Sequence, residues 1–279
     1  MSHNKQKKIA VINDLSGYGR CSLTVAIPVL SAMGHQCCPI PTAILSNHTE
    51  FPVYFFDDYT EKMTTYTDKW KELGLSFDAI ATGFLGSEAQ IGIVMEIVQK
   101  LKAEKTFVVV DPVMGDHGHA YETYTPEMCE QMKELVCMAD VVLPNVTECC
   151  ILTDTPYKEE NWTRKELLNM AMMLRLMGAK SVVITGVRVG SCYTNVVLEQ
   201  GQYDAKFIRT RSSGGERPGT GDVFSSVVAG ALLNGKSLPE AVSQAAGFVK
   251  ECIKVSDEEQ IPHANGVCFE KILGKLIKK

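Results

Sequence analysis

Near its C-terminal end the chain reads Gly219-Thr220-Gly221-Asp222, directly ahead of Val223, Phe224, Val227, Val228, Ala231 and Leu232 at helical spacing. A glycine-framed turn at a helix start presents backbone N–H groups unshielded by side chains. The first amides of a helix lack intrahelical acceptors and the macrodipole is positive there, so the turn attracts an anion. Asp222 does not suit a plain phosphate holder, because its charge repels phosphate. It suits a general base that takes the proton from a hydroxyl attacking that phosphate. A Gly-rich turn capped by Asp is the other reading, and these four residues alone do not separate the two.

Two further clusters bear on the same chemistry. Asp111-Pro-Val-Met-Gly-Asp116 places two carboxylates at a strand end, as a hard divalent cation requires. Asn145-Val-Thr-Glu148 opens a helix, with Glu148 one turn in, where it can hold Mg²⁺ directly or through water against triphosphate oxygens. Each has a structural alternative: Asp111-Pro112 as a turn, and Asn145 with Glu148 as a capping box. The P-loop pattern is absent, Gly17-Tyr18-Gly19 lacks the third glycine of the dinucleotide fingerprint, and the protein-kinase motifs are missing. His117 and His119 lack a third ligand at zinc spacing.

The elements that must position these groups follow from periodicity. Strands are expected at Lys8–Asn13, Cys37–Ile44, Asp78–Thr82, Thr106–Val110, Val141–Leu143 and Ser181–Thr185, and a strand pair at Gly190–Leu198 and Tyr203–Arg209. Helices are expected from Arg20 to Met33, after capping boxes at Ser87/Gln90, Thr163/Glu166 and Ser237/Glu240, and over Cys268–Ile277. The alternation predicts an α/β fold: a mainly parallel central sheet with helices on both faces, in a single domain spanning 1–279. Ligands of such sheets bind beyond the carboxyl ends of the strands. Asp14, Asn47-His48-Thr49, Gly83-Phe84, Asp111, Asn145 and Thr185 all fall at those ends, which predicts one cleft.

Composition narrows the class. The 279 residues carry 45% hydrophobic and 22% charged side chains and a net charge of −5, which suits a globular protein with a substantial core and argues against a general nucleic-acid binder. No apolar run is long enough for a membrane span, and the polar start lacks a secretion signal, so the expectation is cytoplasmic. The ten cysteines include adjacent pairs but no Cys-x-x-Cys, and read as buried small hydrophobes. Lysines at the ends (Lys5, Lys7, Lys8, Lys271, Lys275, Lys278, Lys279) read as solvating tails.

The runs Ser46-Asn47-His48-Thr49, Thr82-Gly83-Phe84-Leu85-Gly86, Asp111 to Asp116, Asn145 to Glu148 and Gly219 to Asp222, in this order, resemble the ribokinase-like superfamily, and within it the vitamin B6 kinases. The resemblance covers Ile9 to about Gly266. It implies ATP-dependent phosphorylation of the 5′-hydroxymethyl group of pyridoxal, pyridoxamine or pyridoxine. Asp222 is then the base, and the amides of Gly219, Thr220 and Gly221 form the anion hole. Asp111, Asn145, Glu148 and Thr185 bind ATP, while Asp111, Asp116 and Glu148 hold Mg²⁺. Asp14, Ser16, His48, Thr49 and Phe84 meet the substrate. The resemblance also implies a homodimer, and it leaves assistance by K⁺ open.

Departures from the B6 pattern keep alternatives in view. Phe84 stands where relatives carry Tyr, and Asp14 where they carry Ser, which leans toward the hydroxymethylpyrimidine kinases, as does the loop Asp14 to Gly19. A catalytically silent metabolite-binding protein is disfavoured, since a pure binder has no use for a base beside phosphate. His48 is open between substrate contact, lid ordering and a loop histidine with its own partner. Tyr121 and Tyr124 lie in a long segment, 117–124, expected to form a mobile flap over ATP.

Overall fold

The computed structural model describes residues 5–277, so Lys278 and Lys279 of the C-terminal lysine group lie outside it. In chain order the elements are β1 (Lys8–Tyr18), α1 (Ser22–Ala32), β2 (Gln36–Asn47), β3 (Phe56–Asp58), α2 (Thr60–Glu72), β4 (Ala79–Thr82), α3 (Glu88–Leu101) and β5 (Phe107–Val110). The short hairpin β6 (Gly115–Asp116) and β7 (His119–Ala120) comes next. Then follow α4 (Pro126–Cys137), β8 (Val141–Val142), α5 (Val146–Leu152), α6 (Arg164–Met177), β9 (Ser181–Val189), β10 (Cys192–Leu198), β11 (Lys206–Arg211), α7 (Thr220–Leu233) and α8 (Leu238–Glu258).

Nine strands form one sheet in the order β11-β10-β9-β8-β5-β4-β1-β2-β3. The six central strands, β2 to β9, run parallel, while β3, β10 and β11 pair antiparallel at the edges. Because side chains alternate across a strand, the buried runs feed two cores. Ala10, Ile12, Ile80, Val108 and Ile184 pack with α2 to α6 on one face. Ile9, Val11, Ala79, Val109 and Val183 pack with α1, α7 and α8 on the other. The expected parallel sheet with helices on both faces is therefore the observed architecture, and the carboxyl ends of β1, β4, β5, β8 and β9 share one rim.

Several boundaries move. Strands β1 and β2 run on to Tyr18 and Asn47, held by paired backbone beyond a register shift between Asn13 and Leu15. Gln90 does not close a box with Ser87; its side chain goes to Gly86 N–H and to Thr42, Asp58 and Thr60. The boxes at Thr163/Glu166 and Ser237/Glu240 form. The last expected helix is a 3-10 segment over Glu270–Leu276. The start of segment 117–124, expected as a mobile flap, belongs to the hairpin of β6 and β7, which is anchored by Gly118 N–H on Thr147 Oγ1 and Asn145 Nδ2 on the Gly115 carbonyl. Among the terminal lysines, Lys7, Lys271 and Lys275 pair with Asp78, Glu259 and Glu251. Among the described residues no helix is long and apolar enough to cross a membrane.

Candidate active site

Helix α7 begins where its sequence turns from glycine to a continuous apolar face, and its N-cap is Gly219 at φ 77°. That left-handed conformation is costly for any residue with a Cβ. A side-chain carbon at Gly219 would also collide with the Arg20 carbonyl oxygen, so the turn and the loop after β1 meet backbone to backbone. Thr220 ties the turn back to the Arg217 carbonyl through its hydroxyl at 3.0 Å and its amide at 3.4 Å.

Asp222 lies in the first turn of α7, half-buried. Its carboxylate accepts Asn13 Nδ2 at 3.2 Å and the Ser22 backbone N–H. Burial, with the nearby charge of Asp14, pushes its carboxyl up to about 6, against the opposing pull of those two hydrogen bonds. A carboxylate poised near neutrality has the basicity a general base needs. Asp111, at the end of β5, is likewise raised, first by burial and then by the negative charge of Asp222, with Ser225 opposing. The two acids therefore repel one another, and an oxygen-only pair in that state suits a hard cation.

Asn145 and Glu148 form a complete capping box on α5. Asn145 Oδ1 accepts the Glu148 N–H at 2.9 Å, and Glu148 Oε2 accepts the Asn145 N–H at 2.7 Å. Glu148 Oε1 accepts Met114 N–H at 3.2 Å, so both its oxygens already hold backbone donors. Burial and Asp111 raise this carboxyl well above the usual range. Thr185 joins the same rim through its N–H on the Pro144 carbonyl at 2.8 Å and a backbone bridge to Asn145. Asp116 sits on the exposed hairpin and accepts the His117 N–H at 2.8 Å. Among the described residues no three His, Cys, Asp or Glu side chains converge into a ready metal cage.

On the substrate side Asp14 is buried and accepts Ser22 Oγ at 2.5 Å and Ser16 Oγ at 2.8 Å. Burial raises its carboxyl, partly offset by those hydroxyls. Ser16, another expected substrate contact, is fully buried and donates its hydroxyl to Asp14. His48 has Nε2 2.7 Å from the Ala264 carbonyl and its ring against Gly19 and Phe51, so one ring nitrogen already has a partner in the loop. Thr49 is exposed in the adjoining turn. Phe84 is half-buried, its N–H donating to Asn13 Oδ1 at 2.9 Å. Tyr124 is buried and Tyr121 partly exposed beneath the hairpin, beside the acids.

Four residues that the sequence did not single out organise the site: Asn13, Arg20, Ser22 and Ser225. Asn13 had a visible signal, a second polar residue beside Asp14 at the end of an apolar strand. Ser22 carries a left-handed backbone at φ 52°, and strain of this kind in a non-glycine residue concentrates at functional sites. Nothing in the local sequence marks it.

The arrangement is a carboxylate with a raised pKa at a helix N-terminus, a second carboxylate near it at the end of β5, and Asp14 and Phe84 gathered around Asn13 at the ends of β1 and β4. Comparison with known proteins agrees. Residues 27–268 match the family model described as phosphomethylpyrimidine kinase. A solved structure of a candidate phosphomethylpyrimidine kinase from Bacteroides thetaiotaomicron is 40% identical, with TM-score 0.96, covering 100% of this chain and 96% of that one. Another crystal form of it, with pyridoxal, has TM-score 0.92 over 98% and 96%. The pyridoxine kinase of Bacillus subtilis is 28% identical over 266 residues, 90% of this chain and 85% of its own. The hydroxymethylpyrimidine/phosphomethylpyrimidine kinase of Aquifex aeolicus is 32% identical over 174 residues, 62% and 66%.

Proposed function

We propose that this chain, which belongs to the phosphomethylpyrimidine kinase family, is the vitamin B6 kinase of that family, phosphorylating the 5′-hydroxymethyl group of pyridoxal, pyridoxamine or pyridoxine with ATP. The observation that carries the reading is the 40% identical relative, whose structure holds pyridoxal and which this chain matches over almost its whole length. The site chemistry supports it independently, because Asp222 has the basicity and the partners of a proton acceptor.

In this mechanism the ring lies over Asp14 and Phe84, with Thr49 at its edge, and the hydroxymethyl group points at Asp222. Asp222 takes the hydroxyl proton as the alcohol oxygen attacks the γ-phosphorus and ADP leaves. The amides of Gly219, Thr220 and Gly221 stabilise the charge on the phosphoryl oxygens, and Thr185 and Asn145 flank the nucleotide. Mg²⁺ fits the oxygen donors present: Asp111 would hold it, with Glu148 reaching it through water because both its oxygens are engaged. Bound there, the cation would neutralise phosphate charge. Asp116 contributes at most from the hairpin.

A second reading, a hydroxymethylpyrimidine kinase, is favoured by Asp14 in the first loop and by the Aquifex relative. The test is a panel of pyridoxal, pyridoxamine, pyridoxine and hydroxymethylpyrimidine with Mg-ATP, read by ADP release and product mass. Turnover with a B6 vitamer at higher kcat/KM than the pyrimidine is expected. The reverse order selects the second reading, and no turnover with any of the four sinks both.

We also infer a homodimer. Val53, Tyr54, Phe55 and Phe56, 78%, 49%, 64% and 42% exposed, lead into edge strand β3, an apolar row that a second copy would cover. Sedimentation should give twice the chain mass.

A further inference from the structure

The segment 261–270 contacts three site loops that are far apart in sequence. His48, from the loop after β2, meets the Ala264 carbonyl at 2.7 Å. Ahead of the Gly219 turn, Arg217 donates to the Ile261 carbonyl at 2.9 Å, and the Glu216 carbonyl meets His263 Nε2 at 2.9 Å. From the loop after β1, Arg20 donates Nε to Glu270 Oε1 at 2.7 Å and a second guanidinium nitrogen to the Asn265 carbonyl at 3.0 Å.

Arg20 differs from the others because its main chain also reaches the reacting centre. Its carbonyl oxygen lies against Gly219, so closely that no other residue fits there. Its backbone and Cβ also abut Gly266, at φ 74°, where a side-chain carbon would sit 3.0 Å from both the Arg20 oxygen and Cβ. Two residues further on, Ser22 presents its N–H to the Asp222 carboxylate and its hydroxyl to Asp14. The Arg20 side chain is about three-quarters buried, and a planar fork with two acceptors defines orientation as well as distance.

We propose that Arg20 is a positioning residue for phosphoryl transfer: anchored on Glu270 and Asn265, it sets the register of the substrate loop against the anion-binding turn, and thus of the alcohol against Asp222 and the γ-phosphorus. This rests on the kinase reading above. Displacing reacting groups by about 1 Å costs on the order of 100-fold in rate without abolishing binding. With the alcohol out of line, water competes for the phosphoryl group and yields ADP and inorganic phosphate in place of the phosphorylated alcohol.

The test uses full-length Arg20→Met, Arg20→Lys and Glu270→Gln with Mg-ATP and the best alcohol of the panel, measuring ADP, phosphorylated alcohol and thermal midpoint together. Arg20→Met keeps the stem and the backbone carbonyl but loses the fork. It should lower kcat about 10- to 100-fold, leave KM for ATP within about 3-fold, and raise ADP formed per phosphorylated alcohol above one. Arg20→Lys and Glu270→Gln, which each keep part of the anchor, should fall between it and wild type.

A purely structural role would lower the thermal midpoint while the folded fraction kept wild-type kcat and one-to-one stoichiometry, and that result overturns the proposal. If Arg20→Met does not fold, Glu270→Gln decides: wild-type kcat and stoichiometry in that variant overturn the proposal. A wild-type enzyme inactive on every alcohol removes the kinase reading and this inference with it, whereas an active wild type beside unaffected variants removes this inference alone.

Discussion

Asn13 and Asp222, 209 positions apart, are joined by a 3.2 Å hydrogen bond from the amide of one to the carboxylate of the other. The same side chain accepts the N–H groups of Asp14 at 3.0 Å and Phe84 at 2.9 Å through its oxygen. One buried amide therefore ties together Asp222, Asp14 and Phe84, the proposed base and two proposed substrate contacts. The sheet order makes this possible, because β1 lies between β2 and β4 and its carboxyl end stands beside that of β4, which leads into Phe84.

Replacing Asn13 with Ala should thus affect stability and pH dependence together. Two backbone N–H groups lose their acceptor, at about 1–3 kcal/mol each when buried. A loss of roughly 2–6 kcal/mol in urea unfolding is expected on that basis. The hydrogen bond it gives Asp222 favours the ionised carboxylate, so its removal should move the acid limb of kcat/KM to higher pH. A limb that stays in place would mean that Asn13 does not touch the acting base.

In the wild-type protein kcat/KM should fall on the acid side with an apparent pKa near 6, because protonated Asp222 cannot accept the hydroxyl proton. Asp222→Asn should lose about 10²–10⁴ in turnover and show no such limb. Near-normal turnover in that variant, at any pH from 5 to 8, would remove Asp222 from its role.

The turn that carries the base is legible in the sequence because its chemistry is contiguous: glycines, carboxylate and helix face lie within fourteen residues. The central strands are legible because they are β-branched runs buried on both faces. Helix α2 was not, since of Thr60–Glu72 only Met63 and Thr67 are buried, too narrow a stripe to show a period. Helix α4 could have been found, from Thr125 capping Pro126 and from Met128, Met132, Leu135 and Val136 at helical spacing. The partners of Arg20, and the Asp222 carboxylate that Ser22 meets with its N–H, are about 200 or more residues away, and no local pattern encodes a contact that only the fold creates. The Glu148 region shows the converse: the pattern was visible, but one set of residues served two readings, and the structure fills its oxygens with backbone donors.

The raised carboxyl of Asp222 also has a consequence for stability. Its folded pKa, about 6, exceeds the ordinary carboxylate value of 3.8, so the native state binds this proton more tightly than the unfolded chain does. For such a group stability declines as pH rises from about 4 to about 6 and stays lower above that. Asp222→Asn removes the buried charge, so at pH 7.5 it should melt above wild type by a few degrees, at about 2–4 °C per kcal/mol for a chain of this size. The difference should shrink below pH 5. A variant that melts lower at pH 7.5 would show that the carboxylate stabilises the fold, contrary to its surroundings.

The two glycines of the turn should separate by the same kind of measurement. Gly219 has φ 77° and faces the Arg20 carbonyl, so Gly219→Ala meets both a backbone penalty and a collision with main-chain atoms that cannot swing away. A penalty of about 1–3 kcal/mol for the strained conformation alone sets the minimum, and turnover should be lost with the register of the turn. Gly221 lies in the helix with no atom within 4 Å of where a Cβ would stand, and alanine is the better helix former by about 1 kcal/mol. Gly221→Ala should therefore keep or raise the thermal midpoint, while turnover falls as the new methyl crowds the phosphoryl group over the amides. Equal thermal midpoints for the two variants would contradict the backbone contact between Gly219 and Arg20. Full turnover in Gly221→Ala would place the transferred phosphate elsewhere than over this turn.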